Sequence, residues 1–109
     1  MKQTDPNKAV DYIIANASKF AQAKANRVFL DEFRKSKKAL LMSQSTAEAA
    51  NAREQFAYAH PEYVELLQGL KEAVETEEKL KWELVAAQLR VDVWRSEEAS
   101  NRNQDKAMR

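Results

Sequence analysis

The sequence holds no cysteine, one glycine (Gly69), two prolines (Pro6 and Pro61) and one histidine (His60). Each scarcity excludes something. Without cysteine there are no disulfides, no thiol nucleophile and no thiolate metal ligands. One glycine is too few to build a phosphate-cradling loop. A lone histidine rules out the paired Glu-x-x-His motifs with which helical bundles hold two metal ions. His60 also sits at a proline turn with no serine motif nearby, so nucleophilic catalysis lacks its parts and the residue reads as a helix end. No apolar run approaches the roughly 20 residues that span a bilayer. The stretch Met1 to Lys8 is polar and lacks a signal-peptide core. These absences predict a non-enzymatic cytoplasmic protein with no cofactor, no metal and no membrane partner.

What remains is helix-forming material. The stretches Asn7–His60 and Glu62–Arg109 contain no proline, and Ala, Glu, Lys, Leu, Gln and Arg dominate them. Such side chains lose little rotamer freedom in a helix. At 109 residues the chain is one domain at most. It reads as all-α, an antiparallel helical hairpin or three-helix arrangement with a long C-terminal helix. The expected helices cover about 6–42, 46–59 and 61–101, with a polar tail over 102–109.

The boundaries follow from local chemistry. Asp5-Pro6 starts the first helix: Asp accepts hydrogen bonds from free N–H groups, and Pro is pre-organised at the first helical position. Asn16 and Ser18 compete for backbone hydrogen bonds and predict a kink or break. Ser45 and Glu48 have the S-x-x-E spacing of a capping box, so a second helix is expected from about Thr46 to Tyr58, the alternative being a continuous helix through Ser43. An Ala-rich face (Ala49, Ala50, Ala52, Ala57) suits close helix approach. Pro61 pushes His60 out of the α region, ending one helix and beginning the next. Tyr58 and Tyr63 flank that turn and are expected to pack together.

In the last helix, Tyr63, Leu66, Leu70, Ala73, Leu80, Leu84, Ala87, Val91 and Trp94 alternate in steps of three and four, a heptad seam interrupted by Glu77. Glu77 is expected either to pair with a basic residue of the first helix or to set register. A second stripe, Trp82, Val85, Ala86, Leu89 and Val93, needs a second cover. It is the expected oligomer or partner interface, a homodimer first, with Trp82 as anchor and Trp94 in the core. In the first helix, Ala25, Phe29, Phe33 and Leu40 share one face, read as the packing face. Phe20 falls on the other, basic side.

Net charge is only +1, but it is unevenly spread. Residues 1–42 hold nine Lys/Arg against four Asp/Glu, and residues 43–109 hold nine against thirteen. Two readings follow. Oppositely charged helices pack on each other, or the basic face Lys24, Arg27, Arg34, Lys35, Lys37 and Lys38 contacts nucleic-acid phosphates. No helix-turn-helix pattern is present, so such binding is expected to be salt-sensitive and weakly sequence-specific. Asp31 and Lys35 are spaced for an i,i+4 pair. Glu72, Glu75, Glu77 and Glu78 cluster, but Lys79 and Lys81 stand at pairing distance from Glu75 and Glu77, which describes a solvated face better than a cation site.

The run from Arg27 to Met42 (Arg27-Val28-Phe29-Leu30-Asp31-Glu32-Phe33-Arg34-Lys35-Ser36-Lys37-Lys38-Ala39-Leu40-Leu41-Met42) resembles a family of small helical proteins from tailed bacteriophages and prophages. So do Ala57-Tyr58-Ala59-His60-Pro61-Glu62-Tyr63 and the stretch from Lys79-Leu80-Lys81-Trp82-Glu83-Leu84 to Val93-Trp94-Arg95. The resemblance covers roughly residues 20–102. It implies a phage accessory protein from an early gene region, near recombination and single-strand annealing functions, acting in the bacterial host cytoplasm. It supplies no catalytic motif. The functional expectation is an accessory factor in DNA recombination or replication. The factor either contacts DNA phosphates through the basic face or assists an annealing or single-strand-binding protein. The alternative is an adaptor or inhibitor of a host or phage protein that never touches nucleic acid.

Overall fold

The computed structural model describes residues 5–108. Met1–Thr4, half of the polar N-terminal stretch, and Arg109, the end of the polar tail, lie outside the described residues. The fold is all-α: α1 spans Pro6–Gln44, α2 Ala50–Ala59 and α3 Pro61–Ala107. No strand occurs among the described residues.

Asp5 caps α1 as its chemistry suggests: its Oδ1 accepts from the N–H groups of Asn7 at 3.0 Å and Lys8 at 3.3 Å. The break expected at Asn16 and Ser18 does not occur, and α1 runs through both. Asn16 instead turns its amide back along the helix, and Nδ2 donates to the Tyr12 carbonyl at 2.8 Å. That bond satisfies the side chain without taking a backbone partner from the helix ladder.

The second helix starts later than expected. Ser45 Oγ accepts from the N–H of Ala47, two residues on, at 3.2 Å. A hydroxyl used in this tight turn is not the N-cap of a helix beginning at Thr46. α2 therefore begins at Ala50, behind Ala49, which is extended (φ −73°, ψ 136°) and has no side-chain cap. On its Ala-rich face Ala57 is buried, whereas Ala49 and Ala50 are exposed.

The proline boundary stands where chemistry put it. His60 is extended (φ −66°, ψ 134°) and its N–H donates to the Ala57 carbonyl at 3.2 Å. His60 then caps α3, its Nδ1 accepting from the N–H of Glu62 at 3.1 Å. α3 continues past the expected end at Asn101 to Ala107, since nothing in that stretch breaks a helix.

The chain groups into two compact units, and both long helices contribute to each. One unit is Gln22–Glu78; the other joins the chain up to Ala21 with the chain from Lys79 onward. In the 22–78 unit, α1 and α3 run antiparallel, since Arg27 meets Glu77 and Lys37 meets Glu62. Its core lies by the turns, where Leu41, Ala57 and Tyr63 are buried against one another with Met42 beside them. Leu41 is fully buried, a burial that contributes about 2 kcal/mol. Tyr58 meets Tyr63 edge-on, ring centroids 5.3 Å apart. In the other unit, the buried residues among those described are Ala9 and Ala87.

Candidate functional site

The basic and the apolar residues of α1 lie on different sides of the helix, and in the 22–78 unit the basic side carries the ion pairs, including the expected pairing of Glu77 with a basic residue of the first helix. Within the 22–78 unit, the side of α1 turned toward the rest of the unit carries Ala23, Arg27, Leu30, Arg34, Lys37 and Leu41, all half-buried or buried, at steps of three and four. The expected packing face is outside: Ala25 is exposed, Phe29 is 62% exposed and Leu40 56%. Phe33 is half-buried and stacks on Phe29, with centroids 5.7 Å apart. The physical reason lies in the partner helix. Glu77 occupies a seam position with its side chain only 11% exposed, and a carboxylate there needs a cation facing it. Long basic side chains meet this need while their aliphatic stems cover apolar neighbours.

Arg27 grips Glu77 with two bonds, Nε to Oε2 at 2.6 Å and Nη2 to Oε1 at 3.0 Å. This is the fork geometry that Arg offers and Lys does not. The hydrogen bond to Glu77 raises the Arg27 pKa above its ordinary value, partly offset by desolvation. Lys37 reaches Glu62 at 3.2 Å, and Lys38 reaches Glu54 at 3.3 Å while lying 4.8 Å from the centre of the Tyr58 ring. Hydrogen bonding to Tyr58 is the main cause raising the Lys38 pKa. Arg34 pairs with Asp31 and Lys35 with Glu32, both at i,i+3 rather than the i,i+4 pairing of Asp31 with Lys35. Of the six basic residues expected to bind DNA, five therefore meet a carboxylate of the same chain. Lys24 is exposed, and Lys35, 74% exposed, keeps most of its side chain in water.

Beside this ion-paired seam runs a shallow groove lined by Phe33, Lys37, Glu62, Glu65, Leu66 and Gly69. A Cβ added at Gly69 would meet nothing within 4 Å. The glycine therefore satisfies no packing need inside the chain, although mid-helix it costs about 1 kcal/mol relative to Ala.

In the other unit, the second stripe of α3 is partly exposed and partly turned to its own chain. Trp82 is 60% exposed, Leu89 and Val93 are exposed, and Val85 and Ala86 are half-buried. Trp94, on the main seam, is half-buried. Lys81 holds its ammonium 5.4 Å from the Trp82 ring centre. Ile13, Ala17, Phe20, Leu84 and Val85 line an apolar groove next to this stripe, which accounts for Phe20 standing apart from the expected apolar face of α1. Tyr12 donates to Glu83 Oε2 at 2.5 Å, a bond that raises the Tyr12 pKa above its ordinary 10.0.

Among the described residues no group of three or more His, Asp or Glu gathers as metal ligands, and no helix is long and apolar enough to cross a membrane. No family model, curated protein or solved structure matches this chain.

Sequence reasoning missed the inward face of α1. The signal was present in two oddities: Phe20 on the basic side, and Glu77 in an apolar seam.

Proposed function

We propose that this chain is a non-enzymatic phage accessory protein of the bacterial cytoplasm that serves recombination or replication by docking a protein partner. That partner, in the setting the resemblance implies, is an annealing or single-strand-binding protein. One observation carries the reading. The basic side chains are occupied by carboxylates of their own chain, while Phe29, Leu40, Phe56 and Val64 keep large apolar areas in water. A surface built to hold phosphates keeps its cations available. A surface built to hold protein exposes aromatic and aliphatic side chains.

The groove at Gly69 suits a partner helix with a small-residue or apolar row, because the missing Cβ lets another backbone come close. Glu62 and Glu65 on its rim favour basic side chains beside that row. Direct phosphate contact is the second reading, and the exposed Lys24 and Lys35 are the observation in its favour.

A pull-down from infected cells, repeated after nuclease and at high salt, separates the two. Retention of a protein through both treatments supports docking, and Phe29→Ser with Phe33→Ser should abolish it. Capture of nucleic acid that disappears with salt, and that Lys24→Ala with Lys35→Ala weakens, would sink the docking reading in favour of phosphate contact.

A further inference from the structure

We propose that the Trp82 stripe is occupied by a second copy of this chain, laid antiparallel and centred between residues 86 and 87 of α3. The surface belongs to the unit that holds Lys79 onward and the groove at Gly69 to the other unit, so the inference stands whether or not a protein partner docks at that groove. Apolar burial alone does not choose an occupant; the charges along the Lys81 border of the stripe do.

With Trp82, Ala86, Leu89 and Val93 as the seam, Lys81 and Asp92 fall on one border of the helix, and Glu83 and Arg90 on the other. Both pairs are placed symmetrically about the same point. An antiparallel copy therefore sets Lys81 against Asp92 of its mate, twice, while Glu83 on the other border is already held by Tyr12 of its own chain. In the same register Trp82 falls between Leu89 and Val93 of the second copy, and Ala86 lies nearly opposite Ala86 of its mate, so that the bulky indole sits in a gap between two smaller side chains. Border charges of this kind set helix orientation and partner choice in paired helices. A parallel copy fares worse, because the border position Asp92 then faces Glu97, acid against acid. The side chains are in place for this use. Asp92, Lys81 and Arg90 are exposed, and Lys81 stands at the edge of the Trp82 ring.

The test uses the full chain and sedimentation equilibrium across micromolar concentrations at low salt. The wild type should dimerise. Lys81→Glu alone places acid against Asp92 twice, and Asp92→Lys alone places base against Lys81 twice, so each variant should dimerise about tenfold more weakly. An equimolar mixture of the two single variants restores both pairs and should form a heterodimer with near wild-type affinity. Trp82→Ala should weaken every combination at least tenfold. Circular dichroism is expected to be unchanged in all variants, and a heterodimer regained on mixing itself requires two folded chains. A wild type that stays monomeric throughout overturns the proposal. So does undiminished dimerisation of either charge variant, or a mixture no tighter than its components.

Discussion

The two units of this molecule use the same pair of long helices in different ways. The 22–78 unit closes on itself: the turns bring α2 and the start of α3 over the end of α1, enclosing Leu41, Ala57 and Tyr63, and ion pairs tie the helices along their length. Among the described residues, the unit from Lys79 onward buries Ala9 and Ala87, and a hydrogen bond from Tyr12 to Glu83 links its helices. A single helix pair has one face each to bury, so Trp82, Leu89 and Val93 of the second apolar stripe stay exposed. Self-sufficiency thus goes with a third helical segment and a filled corner, and availability for a second chain goes with their absence.

The sharpest way to break this contrast is a truncation on each side of it. Leu41→Ala removes the one large, fully enclosed side chain and should cost about 3 kcal/mol in chemical denaturation. Leu89→Ala, in the exposed stripe, should change the stability of the monomer by less than about 0.5 kcal/mol while weakening self-association. Equal losses at both sites would show that the two units are enclosed alike.

Next in size is the seam carboxylate. Glu77→Ala leaves the Arg27 guanidinium facing a gap and should lower Tm by about 5–10 °C. The double change Arg27→Met with Glu77→Leu should recover most of that loss, because an apolar pair of similar volume needs no compensating charge. Failure of the double variant to recover would mean that the pair does more than neutralise itself.

Gly69→Ala works in the opposite direction. The added methyl meets open space, so the variant should be about 1 kcal/mol more stable. If the groove receives a partner backbone, the same variant should capture that partner less well. Stabilisation with undiminished capture would place the partner elsewhere.

The smallest effect concerns pH. The Tyr12 hydroxyl, held by Glu83, titrates above its ordinary 10.0. A raised folded-state pKa means that its contribution is fully present below the unfolded value and is lost as pH rises through the folded one. The Tm gap between wild type and Tyr12→Phe should therefore be constant from neutral pH up to about pH 10 and shrink above it. A gap that closes near neutral pH would require a different titrating group.

Much of the fold was legible in residue chemistry because it depends on short-range rules. Asp5 caps because its carboxylate reaches N–H groups two and three residues on, and His60 is extended because Pro61 leaves no room for the α conformation. The seam of α3 was readable from spacing, since Tyr63, Ala73 and Ala87 are enclosed as a heptad row requires. Ser45 shows the limit: its spacing to Glu48 matched a capping box, but its hydroxyl found the nearer N–H of Ala47. The candidate basic face was legible with two roles, ion pairing to acidic helices or phosphate contact, and spacing alone did not choose between them. Arg27 and Lys37 look like phosphate ligands until Glu77 and Glu62, some 50 and 25 positions away, are brought across from them.

The sequence by itself determined that the chain is helical, where its helices meet at Pro61, and which row of α3 faces inward. Each of these depends on propensity, proline sterics or periodicity within a few residues. Only the tertiary structure decided which face of α1 is inside. A helix with aromatics on one side and long cations on the other can bury either, and the buried carboxylate of Glu77 on α3 selected the cations, leaving Phe29 and Leu40 to the solvent.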